Sequence, residues 1–170
     1  MNLLIDVEKS VKDKVVDLFI NPPASSPISA SYNVYAEDEF FDDGFKPNNP
    51  FIWILGTRVP PKQTRLPLVM IDRAPTIESP VELGNRAGTF FTFNLHVFGR
   101  NRGERGSFAA HLYKNFLTLP IYSYAAPKTL VETVEIIHRT SANQTIAPEV
   151  GAEGSLSNWE VVSIEFQTMQ

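Results

Sequence analysis

The chain has 170 residues, 43% of them hydrophobic and 20% charged, which supplies one sizeable core and excludes disorder along its whole length. A net charge of -4 argues against a dedicated nucleic-acid binder, and the absence of cysteine removes disulfides, thiol nucleophiles and zinc-thiolate centres. No apolar run reaches the roughly 18 residues of a membrane-spanning helix, and the N-terminus lacks the pattern of a signal peptide. The expectation is therefore one soluble domain over residues 1–170, with no membrane partner.

Leu4, Val7, Val11, Val15 and Leu18 recur at helical spacing, which predicts a helix over about 3–19. Pro22-Pro23 must end it. Residues 21–57 then read as a long insertion loop, with a short strand within Ile28–Tyr35 and a buried strand at Phe51-Ile52-Trp53-Ile54-Leu55. Between these strands lies the acidic-aromatic run Glu37-Asp38-Glu39-Phe40-Phe41-Asp42-Asp43. Five acids around two phenylalanines predict an exposed loop that packs at least one ring on a partner.

Leu66 to Asp72 reads as a strand, and Thr89–Phe98 as the clearest one. In the latter, Phe91, Phe93, Leu95 and Val97 alternate with Thr92, Asn94 and His96, so the first set should face the core. Gly99 to Gly106 follows as a loop carrying Arg100, Arg102 and Arg105, with Ser107 capping a helix that ends by Pro120. Val131–Thr140 and Trp159–Thr168 read as two more strands, separated by a loop over 141–157. Phe91, Phe93, Leu95, Phe116, Val162 and Ile164 should share one core. The order of elements predicts an α+β fold: a mostly antiparallel sheet with an N-terminal and a central helix packed on one face.

Chemistry-bearing patterns are sparse. His96, His111 and His138 lie on separate elements without metal-ligand spacing, so no metal is expected. The serines form no nucleophile elbow, and the glycine loop lacks the lysine of a phosphate-binding P-loop. No catalytic residue and no cofactor are expected. The interface candidates are Glu37, Asp38, Phe40, Phe41 and Asp42 in the acidic run and Arg100, Arg102 and Arg105 in the basic loop. Net charge alternates in blocks, -5 over residues 1–50, +4 over 51–105, +2 over 106–130 and -5 over 131–170. Blocks on different faces would favour head-to-tail contacts that close into a ring; blocks that intermix on folding would not.

Taken together, the first helix, the middle strand Leu68-Val69-Met70-Ile71, the aromatic strand Thr89–Phe98, the Gly/Arg loop, the helix Ser107–Leu117 and the late strand Asn158–Phe166 form a pattern. That order resembles the tail terminator (tail completion) proteins of long-tailed bacteriophages and related neck proteins. It covers about residues 55–170 plus the first helix and is a pattern of elements, not a set of signature residues. The 21–57 insertion stands outside it. The resemblance implies a non-enzymatic virion protein at the neck, assembled in the host cytoplasm. Its subunits would form a homo-oligomeric ring, a hexamer, on the end of the tail tube protein. That ring would stop tube growth, dock the head connector and let double-stranded DNA pass through its pore without sequence recognition. The alternatives are a head-closure or other neck adaptor, a small-molecule domain built around His96 and the arginines, and a nucleic-acid module using the arginines with Phe90 and Phe98 as stacking neighbours.

Overall fold

Helix α1, Leu3–Ile20, carries Val7, Val11, Val15, Leu18 and Phe19 on one stripe, all of them buried. It stops where expected, with the Asn21 amide donating to the Asp17 carbonyl and two prolines following. The structure is a computed structural model that describes residues 3–56, 65–74, 77–78, 88–145 and 158–169.

Beyond α1 come β1 (Asn33–Tyr35), helix α2 (Glu37–Phe41), β2 (Phe51–Leu55), β3 (Leu68–Arg73), β4 (Ile77–Glu78) and β5 (Gly88–Phe98). Helix α3 (Arg102–Asn115), β6 (Thr118–Ser123), β7 (Thr129–Glu135), β8 (His138–Thr145) and β9 (Asn158–Met169) complete the chain. The main sheet has the order β1-β2-β3-β5-β9-β8, with β4 added on β5, and β6-β7 form a separate hairpin. Among the described residues β1-β2 and β2-β3 are parallel and the other pairs antiparallel, so the fold is α+β as the element order predicts.

The register of β5 against β9 sets Phe91 opposite Phe166, Phe93 opposite Ile164 and Leu95 opposite Val162. These side chains, with Phe116, belong to one core together with the stripe of α1 and with Phe108, Ala109 and Leu112 of α3. Both long helices thus cover the same face of the sheet. On the opposite face, Thr92, Asn94 and His96 are half-buried. There Ser163 Oγ donates to Asn94 Oδ1 at 2.6 Å and Trp159 Nε1 donates to His96 Nδ1 at 3.2 Å. A second core lies on that face at the β2 end, where Phe40, Trp53, Leu55, Leu66, Leu68 and Phe98 meet.

The hairpin rides beside α1 on the helical face. Leu119, Ile121 and Val134 enter the main core, while a polar seam fixes the hairpin to the helix. Ser10 Oγ donates to the Asp6 carbonyl at 2.7 Å and accepts from the Tyr122 amide, and Asp6 Oδ1 accepts from the Tyr124 amide. Asp6 and Ser10 are buried by this arrangement. Asp6, in the first turn of α1 where the helix dipole favours an acid, therefore also holds a second element in place.

Several elements depart from expectation. The strand expected over Val131–Thr140 is two strands in different sheets. The Ile136 amide donates to the Leu117 carbonyl and the Ile137 amide to the Glu165 carbonyl, so the chain passes from hairpin to main sheet at that corner. Strand β6 stands where the sequence shows only a helix stop, because Leu119 and Ile121 alternate across Pro120. The short strand within 28–35 is confined to Asn33–Tyr35, and the expected loop over 141–157 gives way to β8 as far as Thr145. Its remainder, 146–157, lies outside the described residues.

Candidate functional site

The acidic-aromatic run is not an exposed loop. Three acids in the first turn suit the positive end of a short helix, and the Ala36 amide donates to Glu39 Oε2. Phe40 is fully buried, edge-on to Trp53 at 5.4 Å, so the ring finds its partner within its own chain. Phe41 remains 56% exposed, and Asp38 and Asp42 face solvent. Both ends of the segment are tied down. Glu37 pairs with Lys12 Nζ at 2.7 Å and accepts from the Gly56 amide at 2.6 Å. Burial opposes the Glu37 carboxylate, but those two donors outweigh it and hold its pKa below the ordinary carboxylate range. Farther along, the Arg65 guanidinium donates to the carbonyls of Asp42 and Phe45 and lies over the Trp53 ring.

The basic loop is also shorter than expected, because α3 begins at Arg102 and not after Ser107. Asn101 is the N-cap: its Oδ1 accepts from the Glu104 amide at 2.9 Å, while Glu104 Oε2 accepts from the Arg100 amide at 2.7 Å. That Asn-x-x-Glu signal was present in the sequence, hidden by Gly103 and Gly106 inside the helix. The three arginines consequently differ. Arg100 donates from Nε to the Leu66 carbonyl and lies 4.8 Å from the Phe51 ring centre. Arg102 is exposed on the first turn. Arg105 is only 7% exposed, with one guanidinium N–H donating to the Asn158 carbonyl at 3.0 Å and Nε 4.0 Å from Glu160.

These arginines line a cleft of about 750 Å³ with Gly99, Asn101, Asn143, Asn158 and Glu160. Gly99 makes the cleft possible. A Cβ there would lie 2.6 Å from the Arg105 amide nitrogen, so only glycine lets the first turn of α3 sit this close to the end of β5. Asn143, Asn158 and Glu160 carry no sequence pattern that links them to Arg105, and only the antiparallel pairing of β8 and β9 brings them there.

The histidines stay apart. His138 is exposed on β8, and among the described residues no three acids, histidines or cysteines gather as a metal site. His111 is fully buried: Nε2 donates to the Leu18 carbonyl at 3.0 Å, which leaves Nδ1 to accept from Ser26 Oγ at 2.6 Å. Burial lowers its pKa, with the Leu18 bond opposing. The group joins α1, α3 and the segment after α1.

Charge blocks intermix on folding. Arg73 pairs with Glu8 at 3.3 Å, Arg65 with Asp43 at 3.7 Å and Arg105 with Glu160 at 4.0 Å, each joining the basic middle block to an acidic terminal block within the chain. Apolar exposure is more localised. Tyr113, Leu117, Leu130, Val131 and Ile137 are all exposed around the end of α3, the hairpin and the corner into β8. No protein-family model matches the chain, and no curated protein matches it.

Proposed function

We propose that the protein is a ring-forming tail terminator at the head-tail interface of a long-tailed bacteriophage, a structural subunit that caps the tail tube and docks the head connector. The observation that carries this reading is the exposed apolar surface on β7 and its corner. Leu130 is 58% exposed and Val131 47%, on a strand that pairs with β6 alone among the described residues, and Ile137, at the corner that follows, is 62% exposed. A strand edge that presents β-branched and aliphatic side chains is suited to cover by another chain. The helix, two strands, helix and late strand behind the family resemblance pack as one unit, and the hairpin packs on it beside α1 with its outer side chains left exposed.

The test is tube capping. Tail tube protein from the same genome, polymerised with and without this protein, should give tubes of limited length bearing a ring at one end when it is present. Tubes of unchanged length with bare ends would overturn the reading.

A further inference from the structure

We propose that the outer edge of β8 is a two-fold contact through which a second copy of this chain extends the main sheet. The inference does not depend on the ring reading, because it uses a surface other than β7. Strand β8 ends the sheet, paired with β9 along its eight residues and with no strand on its other side among the described residues. Exposed edges are ordinarily protected by proline, lysine, inward charge or a bulge. His138–Thr145 contains no proline, lysine, aspartate or glutamate, and its register with β9 runs without a shift. The opposite edge, β1, has only three residues.

The β8 edge is self-complementary. Antiparallel pairing about a two-fold axis normal to the sheet keeps both sets of helices on one face and sets residues of the same face opposite each other. With Ala142 opposite Ala142 of the second copy, Ser141 meets Asn143, Thr140 meets Gln144 and Arg139 meets Thr145. No like charges oppose each other, and the smallest side chain of the strand lies on the axis.

Helix α3 carries an independent sign of the same contact. Arg139 lies over the Tyr113 ring, so Tyr113 marks the flank of α3 that faces β8. Gly106 stands seven residues earlier, two turns back along that flank. A glycine inside a helix is unfavourable relative to alanine, yet a Cβ added at Gly106 would meet nothing within 4 Å. No neighbour within the chain requires the glycine, whereas close approach of a second helix does. The distances agree. From Arg139 to Ala142 the strand advances about 10 Å, and from Tyr113 back to Gly106 the helix covers about 10 Å. The two elements run antiparallel, since Asn143 of β8 and Arg102 of α3 line the same cleft. An axis through Ala142 therefore passes beside Gly106, where two antiparallel copies of α3 cross.

The absence of cysteine from the chain makes the contact testable by a single thiol. Ala142→Cys, at an exposed position, should form a covalent dimer under mild oxidation, and Gln144→Cys, displaced from the axis, should form severalfold less. Val131→Glu added to Ala142→Cys should leave the cross-link unchanged, so that loss of rings and loss of this contact are read apart. Sedimentation of Val131→Glu should show a monomer-dimer equilibrium that Gly106→Leu weakens severalfold without lowering the temperature of thermal unfolding. Equal cross-linking at positions 142 and 144, no covalent dimer from Ala142→Cys, or a dimer that Gly106→Leu leaves unchanged would overturn the proposal. A strand of another protein as the occupant would leave the purified Ala142→Cys chain uncross-linked, and that result overturns it as well.

Discussion

His111 shows how one buried side chain holds three segments together. Its neutral ring must donate to the Leu18 carbonyl and accept from Ser26, and protonation would remove that acceptor. Because burial lowers its pKa, the folded state binds a proton less readily than the unfolded chain, where imidazole titrates near 6.5. The stability it contributes is therefore complete above that pH and declines as pH falls below it. Glu37, whose pKa is lowered, acts in the separate window below the ordinary carboxylate value of about 4.3. Urea unfolding should give a lower midpoint at pH 5.5 than at pH 7.5, and His111→Gln should flatten that difference. An unchanged difference in the variant would place the pH dependence elsewhere. The sequence gives His111 only as a residue in a helical stretch; its partners are 85 and 93 positions away and invisible to local pattern.

Elements were legible where one period governs a long run. The stripe of α1 and the alternation of Phe91, Phe93, Leu95 and Val97 need only their own side chains to reveal a face, and those faces are the ones buried. Segments with competing signals were misread. Two glycines conceal the Asn101-Glu104 cap and move the apparent start of α3 to Ser107, and continuous β-branched character conceals the corner at Ile136-Ile137. In the acidic run, composition suggests a wet loop, yet Phe40 closes the second core against Trp53. Adjacent rings in α2 thus have opposite roles. Phe40→Ala should cost about 3–5 kcal/mol in chemical unfolding, as loss of a large buried ring does. Phe41→Ala should change stability by no more than about 0.5 kcal/mol. Equal losses would mean that α2 is not packed as described. The three arginines of the basic loop differ likewise: Arg100 and Arg102 are exposed, whereas Arg105 is buried between α3 and β9.

At the scale of the molecule, α1, α3 and the hairpin cover one face of the sheet, and the proposed assembly rests on the exposed apolar side chains of the hairpin and its corner. Acidic and basic blocks already pair within the chain, at Arg65-Asp43, Arg73-Glu8 and Arg105-Glu160, so the proposed contact does not rest on charge. Apolar burial at β7 is the stronger source of association, because each side chain withdrawn from water contributes about 1.5–3 kcal/mol and is not screened by salt. The fold class was readable from the order of periodic segments, whereas the exposed apolar surface was not. Leu130, Val131 and Ile137 are ordinary strand residues in sequence; Leu130 and Val131 lie on a hairpin separate from the main sheet, Ile137 at the corner between them, and all three are exposed. Sedimentation of the purified protein, alone and on tube ends, measures this directly. The account predicts a closed ring of uniform mass that persists at raised salt, and a Val131→Glu variant that unfolds like the parent yet no longer forms rings. A parent protein that stays monomeric both free and with tube protein, or a Val131→Glu variant that assembles normally, would contradict it.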